Sequence, residues 1–139
     1  MKLIICIDSR KGMMFFGKRQ SQDRELRRWI INRTSGSKLW MSTFSSAQFH
    51  DYTGFIVDDD YNSKADLEDY CFVEDKDFSI ENTDEVILCC WNRKYQADSF
   101  FDVDLKANGF FKTEREEIKG SSHNKITIEI YRRLKNEKD

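Results

Sequence analysis

Three short clusters concentrate the residue types that bind or transform small molecules. They are Arg19-Gln20-Ser21-Gln22-Asp23, Trp91-Asn92-Arg93-Lys94-Tyr95 and Gly120-Ser121-Ser122-His123-Asn124-Lys125. Arg19, Arg93 and Lys125 suit an anion, because guanidinium and ammonium groups make charge-assisted hydrogen bonds to phosphate or carboxylate. Trp91 offers a face for stacking, and Asn92 or Gln20 can read a polar edge. Asp23, Ser121, Ser122 and His123 complete the candidate ligand-binding set. A plainer account competes at each cluster: the first is a helix cap with solvated neighbours, and the third has ordinary turn composition.

His123 is one of two histidines, the other being His50. Ser121-Ser122-His123 invites a nucleophile–base pair. Neighbours in sequence rarely point at one another usefully, however, and the sequence identifies no third group to orient the ring. For a metal, Asp58-Asp59-Asp60 and Asp102 with Asp104 supply the oxygens a hard cation prefers. Acid runs after strands are more often solvated turns, and neither a calcium-loop spacing nor a zinc-hydrolase histidine cluster is present. No metal and no cofactor is expected.

The elements that must hold these clusters belong to 139 residues, one domain's worth spanning 1–139. The chain is 39% apolar and 35% charged with a net charge of -2, and acids and bases are interleaved, so no electrostatic case arises for nucleic acid or an anionic membrane. Eleven Phe, five Tyr and three Trp argue against disorder. The apolar run Leu3–Ile7 is too short for a signal-peptide core or a membrane span, so a cytoplasmic protein is expected. Cys6, Cys71, Cys89 and Cys90 show no CxxC spacing and read as buried, reduced thiols. Oligomeric state is left open.

Leu3–Ile7 and Val86–Trp91 are continuous apolar runs, as in strands covered on both faces. Met13–Phe16 reads as an oily loop. Ser21 or Asp23 can cap a helix that places Leu26, Trp29, Ile30 and Arg33 on one face and ends at Ser35-Gly36-Ser37. Lys38–Met41, Phe55–Val57 and Tyr70–Val73 read as short strands. Ser45 or Ser46 caps a brief helix carrying Ala47 and Phe49, and Asn62–Asp69 allows two helical turns. Phe110–Thr113 starts a strand. Ile126, Ile128 and Ile130 alternate with Thr127, Glu129 and Tyr131, the period of a half-buried strand. The order predicts an α/β domain: a mixed, mostly parallel sheet with an antiparallel end.

Several segments together resemble the dihydrofolate reductase family. LIICIDSRKGMMFFGK (3–18) is similar to that family's first strand and mobile loop. ELRRWIINRTSGSKLWM (25–41) is similar to its helix, Thr-x-Gly-x turn and second strand. Residues 84–120 and HNKITIEIYRRL (123–134) are similar to its last three strands, including a Phe-Phe hairpin and a closing Glu-Ile-Tyr-Arg-Arg. The resemblance covers about two thirds of the chain. It implies a three-layer fold with helices on both faces of the sheet and an antiparallel C-terminal strand pair.

The departures fall on that family's working residues. The family places a carboxylate on its helix to help protonate a pteridine; counting back from Thr34 puts Leu26 there. The strand Thr that contacts carboxylate and pteridine becomes Cys89. Gln20-Ser21-Gln22 replaces a Leu-Pro-Trp element. The Gly-Arg-x-Thr turn that holds cofactor phosphate reads Ser42-Thr43-Phe44-Ser45. The Gly-Gly approach to the pyrophosphate is reduced to Cys71–Asp75, where Glu74 and Asp75 would repel it. Without the helix carboxylate the pterin site lacks a charged partner and a proton route. The leading expectation is therefore a diverged reductase-like protein binding a small anionic or nucleotide-like ligand without folate reduction. Alternatives are a hydrolase or nuclease built from Arg19, Asp23, Arg93 and His123, a retained NADPH-dependent reductase, and a non-catalytic interaction protein. Whether segment 58–83 keeps a nucleotide-binding role stays open.

Overall fold

The structure is a computed structural model that describes residues 1–133. The two apolar runs become β1 (Lys2–Ile7) and, late in the chain, β7 (Glu85–Cys90). They pair in parallel at the centre of a sheet, with Leu3 opposite Val86 and Cys6 opposite Cys89. Side chains alternate between two faces in a strand. Here Leu3, Ile5, Ile7, Val86 and Leu88 enter one core, and Ile4, Ile87 and Cys89 the other. Both faces are covered, which is why the runs are continuous rather than alternating.

On one face lies α1 (Arg24–Arg33), which buries Leu26 and Ile30. Asp23 caps it, its carboxylate accepting from the N–H groups of Glu25 and Leu26. Thr34 ends the helix, its N–H turning back to the carbonyls of Asn32 and Ile30. β4 (Leu39–Met41) leads to α2 (Thr43–Ser46), continued by a 3-10 turn at Ala47–Phe49. Ser42 caps α2, accepting from Ser45 N–H, so the cap stands earlier than the expected Ser45 or Ser46. After β5 (Ile56–Val57), the expected two turns over Asn62–Asp69 shrink to α3 (Tyr61–Lys64), because Ala65 is already extended. β6 (Tyr70–Phe72) pairs with β1 on the side away from β7. The second face is covered thinly, by Tyr61 of α3 together with Met13, Met14, Phe101 and Leu105.

Residues 12–19 form a hairpin where the sequence suggested a loop. β2 (Gly12–Phe15) pairs antiparallel with β3 (Lys18–Arg19), and Phe16 and Gly17 both adopt positive φ in the two-residue turn. Such turns are normally signalled by Asn-Gly, and Phe-Gly hides this one. β8 (Ser99–Phe100), another element the sequence did not suggest, flanks β2 to complete a small sheet.

β9 (Phe110–Ile118) and β10 (Ile126–Arg133) close the chain's described part. Among the described residues the main sheet runs β5-β4-β6-β1-β7-β10-β9, parallel from β5 to β7 and antiparallel from there. The expected α/β architecture, a mixed and mostly parallel sheet with an antiparallel C-terminal strand pair and helices on both faces, is thus present. β9 is the edge strand, and its run of Lys, Glu and Arg leaves that edge charged, a common guard against edge-to-edge pairing. No described helix is long and apolar enough to cross a membrane.

Candidate functional site

The carboxyl ends of parallel strands are where open α/β sheets gather loops around a ligand. Here Asp8 follows β1, Glu74 stands two residues past β6 and Trp91 follows β7, and the turn before β10 returns to the same edge. Asp8 organises it. Its Oδ1 accepts from the N–H groups of Arg10 (2.8 Å) and Gly12 (2.7 Å), and its Oδ2 from Gln20 Nε2 (3.0 Å) and Tyr95 N–H (3.2 Å). One carboxylate thereby ties the hairpin, the segment before α1 and the segment after β7 together. Burial alone would raise the Asp8 carboxyl, but the N–H donors of Gly12, Arg10 and Tyr95 and the Gln20 amide hold it below its ordinary value. Gly12 is required there: a Cβ would lie 2.7 Å from Asp8 Oδ2, from Gln20 Nε2 and from Ala97 Cβ.

Beside Asp8 opens a cleft of about 420 Å³, lined by Phe15, Lys18, Arg19, Gln20, Lys94, Tyr95 and Gln96. Three cationic side chains stand around it. Arg19 is committed internally: Nε and Nη2 each lie 2.8 Å from the Glu74 carboxylate, and Nη2 also donates to Phe44 O. Its guanidinium sits 4.5 Å from the Phe44 ring centre. Lys18 and Lys94 are exposed and have no ion-pair partner among the described residues. A slightly larger cleft of about 520 Å³ is walled by Asp102, Asp104 and Glu129 against Lys11 and Lys106, a poorer setting for an anion. Another, of about 510 Å³, lies at the opposite strand ends around Met1 and Asp84.

A buried polar chain adjoins the cationic cleft through Tyr95. Asp23 and His123 have almost no exposed side-chain surface, and their Oδ2 and Nδ1 are 3.0 Å apart. Asp23 also accepts from the N–H groups of Ser121 and Ser122, both at 2.9 Å, beyond its two helix-cap bonds. Burial would raise its carboxyl; the donors from Ser121, His123, Ser122 and Leu26 outweigh that and hold it far below the usual carboxylate range. In the neutral ring, an anion on that side favours the proton on Nδ1, which leaves Nε2 to accept. Nε2 faces two hydroxyls, Tyr95 Oη at 2.9 Å and Ser21 Oγ at 3.2 Å. Trp91 stacks on the imidazole at 4.5 Å between centroids, 24° from parallel. Gly120 permits the close approach, since a Cβ there would lie 2.5 Å from Asp23 Oδ2.

The ten candidate residues therefore separate. Arg19 and Gln20 line the cleft; Asp23, His123 and Trp91 belong to the buried chain, and the exposed Ser121 and Ser122 donate to it from the turn. Asn92, Arg93 and Lys125 brace the surrounding turns. Asn92 Nδ2 donates to Lys125 O and Thr127 Oγ1, Arg93 Nη2 donates to Ser122 O, and Lys125 Nζ lies 3.7 Å from Glu117. Ser122 does meet its sequence neighbour, Oγ lying 3.2 Å from His123 Nδ1, but the orienting carboxylate comes from 100 residues away. Phe15 and Lys18 were missed because their signal was a hairpin the sequence disguised, whereas Lys94 stood in the second polar cluster but was not singled out.

Four of the five acids weighed as cation ligands are otherwise engaged, Asp104 by accepting from Ala107 N–H. Asp58 pairs with Lys64 at 2.7 Å, Asp59 accepts from Thr43, and Asp102 pairs with Lys76 at 3.1 Å. Among the described residues no three His, Cys, Asp or Glu side chains gather as a metal site.

No protein-family model and no curated protein matches the sequence. A solved structure does match the fold: a dihydrofolate reductase from Enterococcus faecalis complexed with NADP(H) and RAB-propyl superposes with a TM-score of 0.66 over 96% of both chains, at 15% identity. The chain thus has the dihydrofolate reductase fold.

Proposed function

We propose that this chain binds a small, phosphate-bearing or otherwise anionic ligand in the cleft between Phe15, Lys18, Lys94 and Tyr95, and does not reduce folates. The observation that carries the reading is the pair of exposed lysines, without an ion-pair partner among the described residues, on a cleft of about 420 Å³, a volume in the range of small-molecule sites. Phe15 supplies an apolar wall, and Gln20 and Gln96 supply polar groups beside it.

Two observations weigh against the reductase reaction. Leu26 and Cys89, standing where the family resemblance calls for a carboxylate and a threonine, are both packed in the same apolar core. The two segments that resemblance assigns to cofactor phosphates are bridged by Arg19, which holds Phe44 O and Glu74 at once. A pyrophosphate arriving there would have to displace a bidentate, partly buried ion pair.

The test is calorimetric titration with inorganic phosphate, a 5′-mononucleotide and NADPH. Mononucleotide or phosphate binding that weakens at least about tenfold in the Lys18→Ala/Lys94→Ala double variant supports the reading, since each lost charge-assisted contact contributes about 1.5–3 kcal/mol when well formed. Binding unaffected by that double variant overturns it. So does consumption of NADPH absorbance at 340 nm on adding dihydrofolate.

A further inference from the structure

We propose that Ser21, His123 and Asp23 form a nucleophile–base–orienter relay, making the chain a serine esterase for small carboxylic esters that carry an anionic group. The geometry meets the requirements of such a relay. The hydroxyl lies 3.2 Å from Nε2, and Nδ1 lies 3.0 Å from a buried carboxylate. Both distances are within reach of the hydrogen bonds that pass the proton and hold the ring. The third group is an anion by construction, fixed by backbone N–H donors rather than free to rotate. Trp91 fixes the plane of the imidazole from one side. His123 is shut from solvent while Ser21 is only half-buried, so the hydroxyl is the reachable end of the chain.

Holding the turn at 120–125 against α1 does not need the far side of the ring. Asp23 already accepts the N–H groups of Ser121 and Ser122, and either would tether the turn. A buried Nε2 needs one donor, which Tyr95 Oη supplies at 2.9 Å; tethering and that bond leave unexplained the second hydroxyl, Ser21 Oγ, at 3.2 Å. The arrangement gives each hydroxyl a role. Ser21 Oγ attacks the ester carbonyl carbon, its proton passing to Nε2 as the C–O bond forms. The carbonyl electrons move to oxygen, and the Tyr95 hydroxyl, 3.4 Å from Ser21 Oγ, donates to that oxyanion. Collapse breaks the bond to the leaving alkoxide, which takes the proton from Nε2. Water then repeats the cycle on the acyl-serine, so ester and water give acid and alcohol.

Gln20 and Tyr95 line the cationic cleft, and Ser21 follows Gln20 directly. Ser21 adjoins the cleft rather than lining it, reached through the Tyr95 hydroxyl, and an anionic tail held by Lys18 and Lys94 sets the ester beside that hydroxyl. That preference for anionic esters rests on the reading of the cleft given above; the nucleophile does not.

The experiment treats the whole protein with a fluorophosphonate, in which Ser21 Oγ forms a P–O bond, fluoride leaves and the proton goes to Nε2. Intact mass and peptide mapping locate the adduct. The expected result is a single adduct on Ser21, absent in Ser21→Ala and formed at least about 100-fold more slowly in His123→Gln, the span general-base loss commonly costs. Tyr95→Phe keeps the adduct but lowers kcat for p-nitrophenyl ester hydrolysis by about 100-fold with little change in KM. Circular dichroism confirms that each variant is folded, and Ser21→Ala, which removes one half-buried hydroxyl, serves if His123→Gln does not fold. No adduct, or one on a residue other than Ser21, overturns the relay. Faster hydrolysis of mono-p-nitrophenyl succinate than of p-nitrophenyl acetate, abolished by Lys18→Ala/Lys94→Ala, supports the anionic preference. Equal rates with Ser21 still labelled overturn that preference while leaving the nucleophile standing, and the cleft reading then stands or falls on the titration above.

Discussion

Replacing Asp23 by Asn isolates the contribution of one buried charge, because the substitution keeps shape and capping ability. Asp23 uses its two oxygens for different jobs. Oδ1 accepts from Glu25, Leu26 and Ser121 N–H groups, and Oδ2 from Ser122 N–H and His123 Nδ1. An Asn amide oxygen can take over the first job, and Asn is a good helix cap. Its NH2 group then stands where Oδ2 was, a donor facing two donors. His123 can adapt by changing tautomer, but Ser122 N–H loses its acceptor. Hydrogen bonds to a charged group contribute about 1.5–3 kcal/mol, and a stranded donor costs about 1–3 kcal/mol when fully buried. The turn is partly wet, so about 2–3 kcal/mol in total is the expected loss. With a urea slope near 2 kcal/mol/M, the midpoint falls by about 1–1.5 M. Asp23→Ala loses the cap as well and falls further, by about 1 kcal/mol.

The ionised Asp23 also makes stability depend on pH. The Asp23 carboxyl in the folded chain is held far below its ordinary value. A depressed folded value means the unfolded state binds the proton first, so the stabilisation is complete above the unfolded value near 3.9 and is lost as pH falls below it. Asp8 is depressed in the same direction and adds to the loss in both proteins. The gap between wild type and Asp23→Asn, measured by urea unfolding, should therefore narrow between pH 5 and pH 3. A midpoint change under about 0.3 M at pH 7, or a gap that stays constant down to pH 3, refutes the assignment of the stabilisation to an ionised Asp23.

Two further outcomes follow from side chains away from that chain. Arg19→Ala leaves Glu74, nearly buried, with only Gln48 as a side-chain donor at 3.3 Å, and should cost about 2–3 kcal/mol, less than for a fully buried pair because Arg19 is a fifth exposed. Pairing it with Glu74→Gln should recover part of that loss in urea unfolding; strictly additive effects would show that the ion pair contributes nothing. Burial pushes the Cys71 and Cys90 thiols up to about 12, and the Cys89 contact followed by burial raises Cys6 well above its ordinary value. Ellman's reagent should react with fewer than one thiol per native chain within minutes at pH 8 and with four after unfolding, the count the sequence supplies.

Much of the frame was legible because its signals are local. Leu3–Ile7 and Val86–Trp91 are apolar without interruption, and a strand covered on both faces asks for that. Asp23 followed by the spacing of Leu26 and Ile30 marked a helix start, and Ile126, Ile128 and Ile130 marked a strand with one buried side. What stayed hidden depended on distant partners. Phe16-Gly17 closes a hairpin without the usual turn residues, so Lys18 was not seen to face Lys94. Ser21, Tyr95, Asp23 and His123 meet through contacts spanning 28 to 102 residues, and no spacing rule connects them.

The position of the one carboxylate common to fold and site explains how the two diverge. A carboxylate at position 26 would point from α1 toward the sheet, where Leu26 now packs with Ile4, Ile87 and Cys89. Charge there needs a partner, because an unpaired ion in an apolar core is very costly. A cationic or polar ligand can supply that partner; leucine needs none. Three residues earlier, at the cap, a carboxylate has N–H groups on every side: its own helix's first turn and the turn before β10. Ionisation at Asp23 is therefore satisfied without a ligand and is available to orient an imidazole. With its acid at the helix cap and leucine on the helix face, this chain packs apolar side chains beneath α1 and places the charge at the strand-end edge. Any chemistry this chain performs is then expected at that edge, beside Ser21 and Tyr95, and not under the helix.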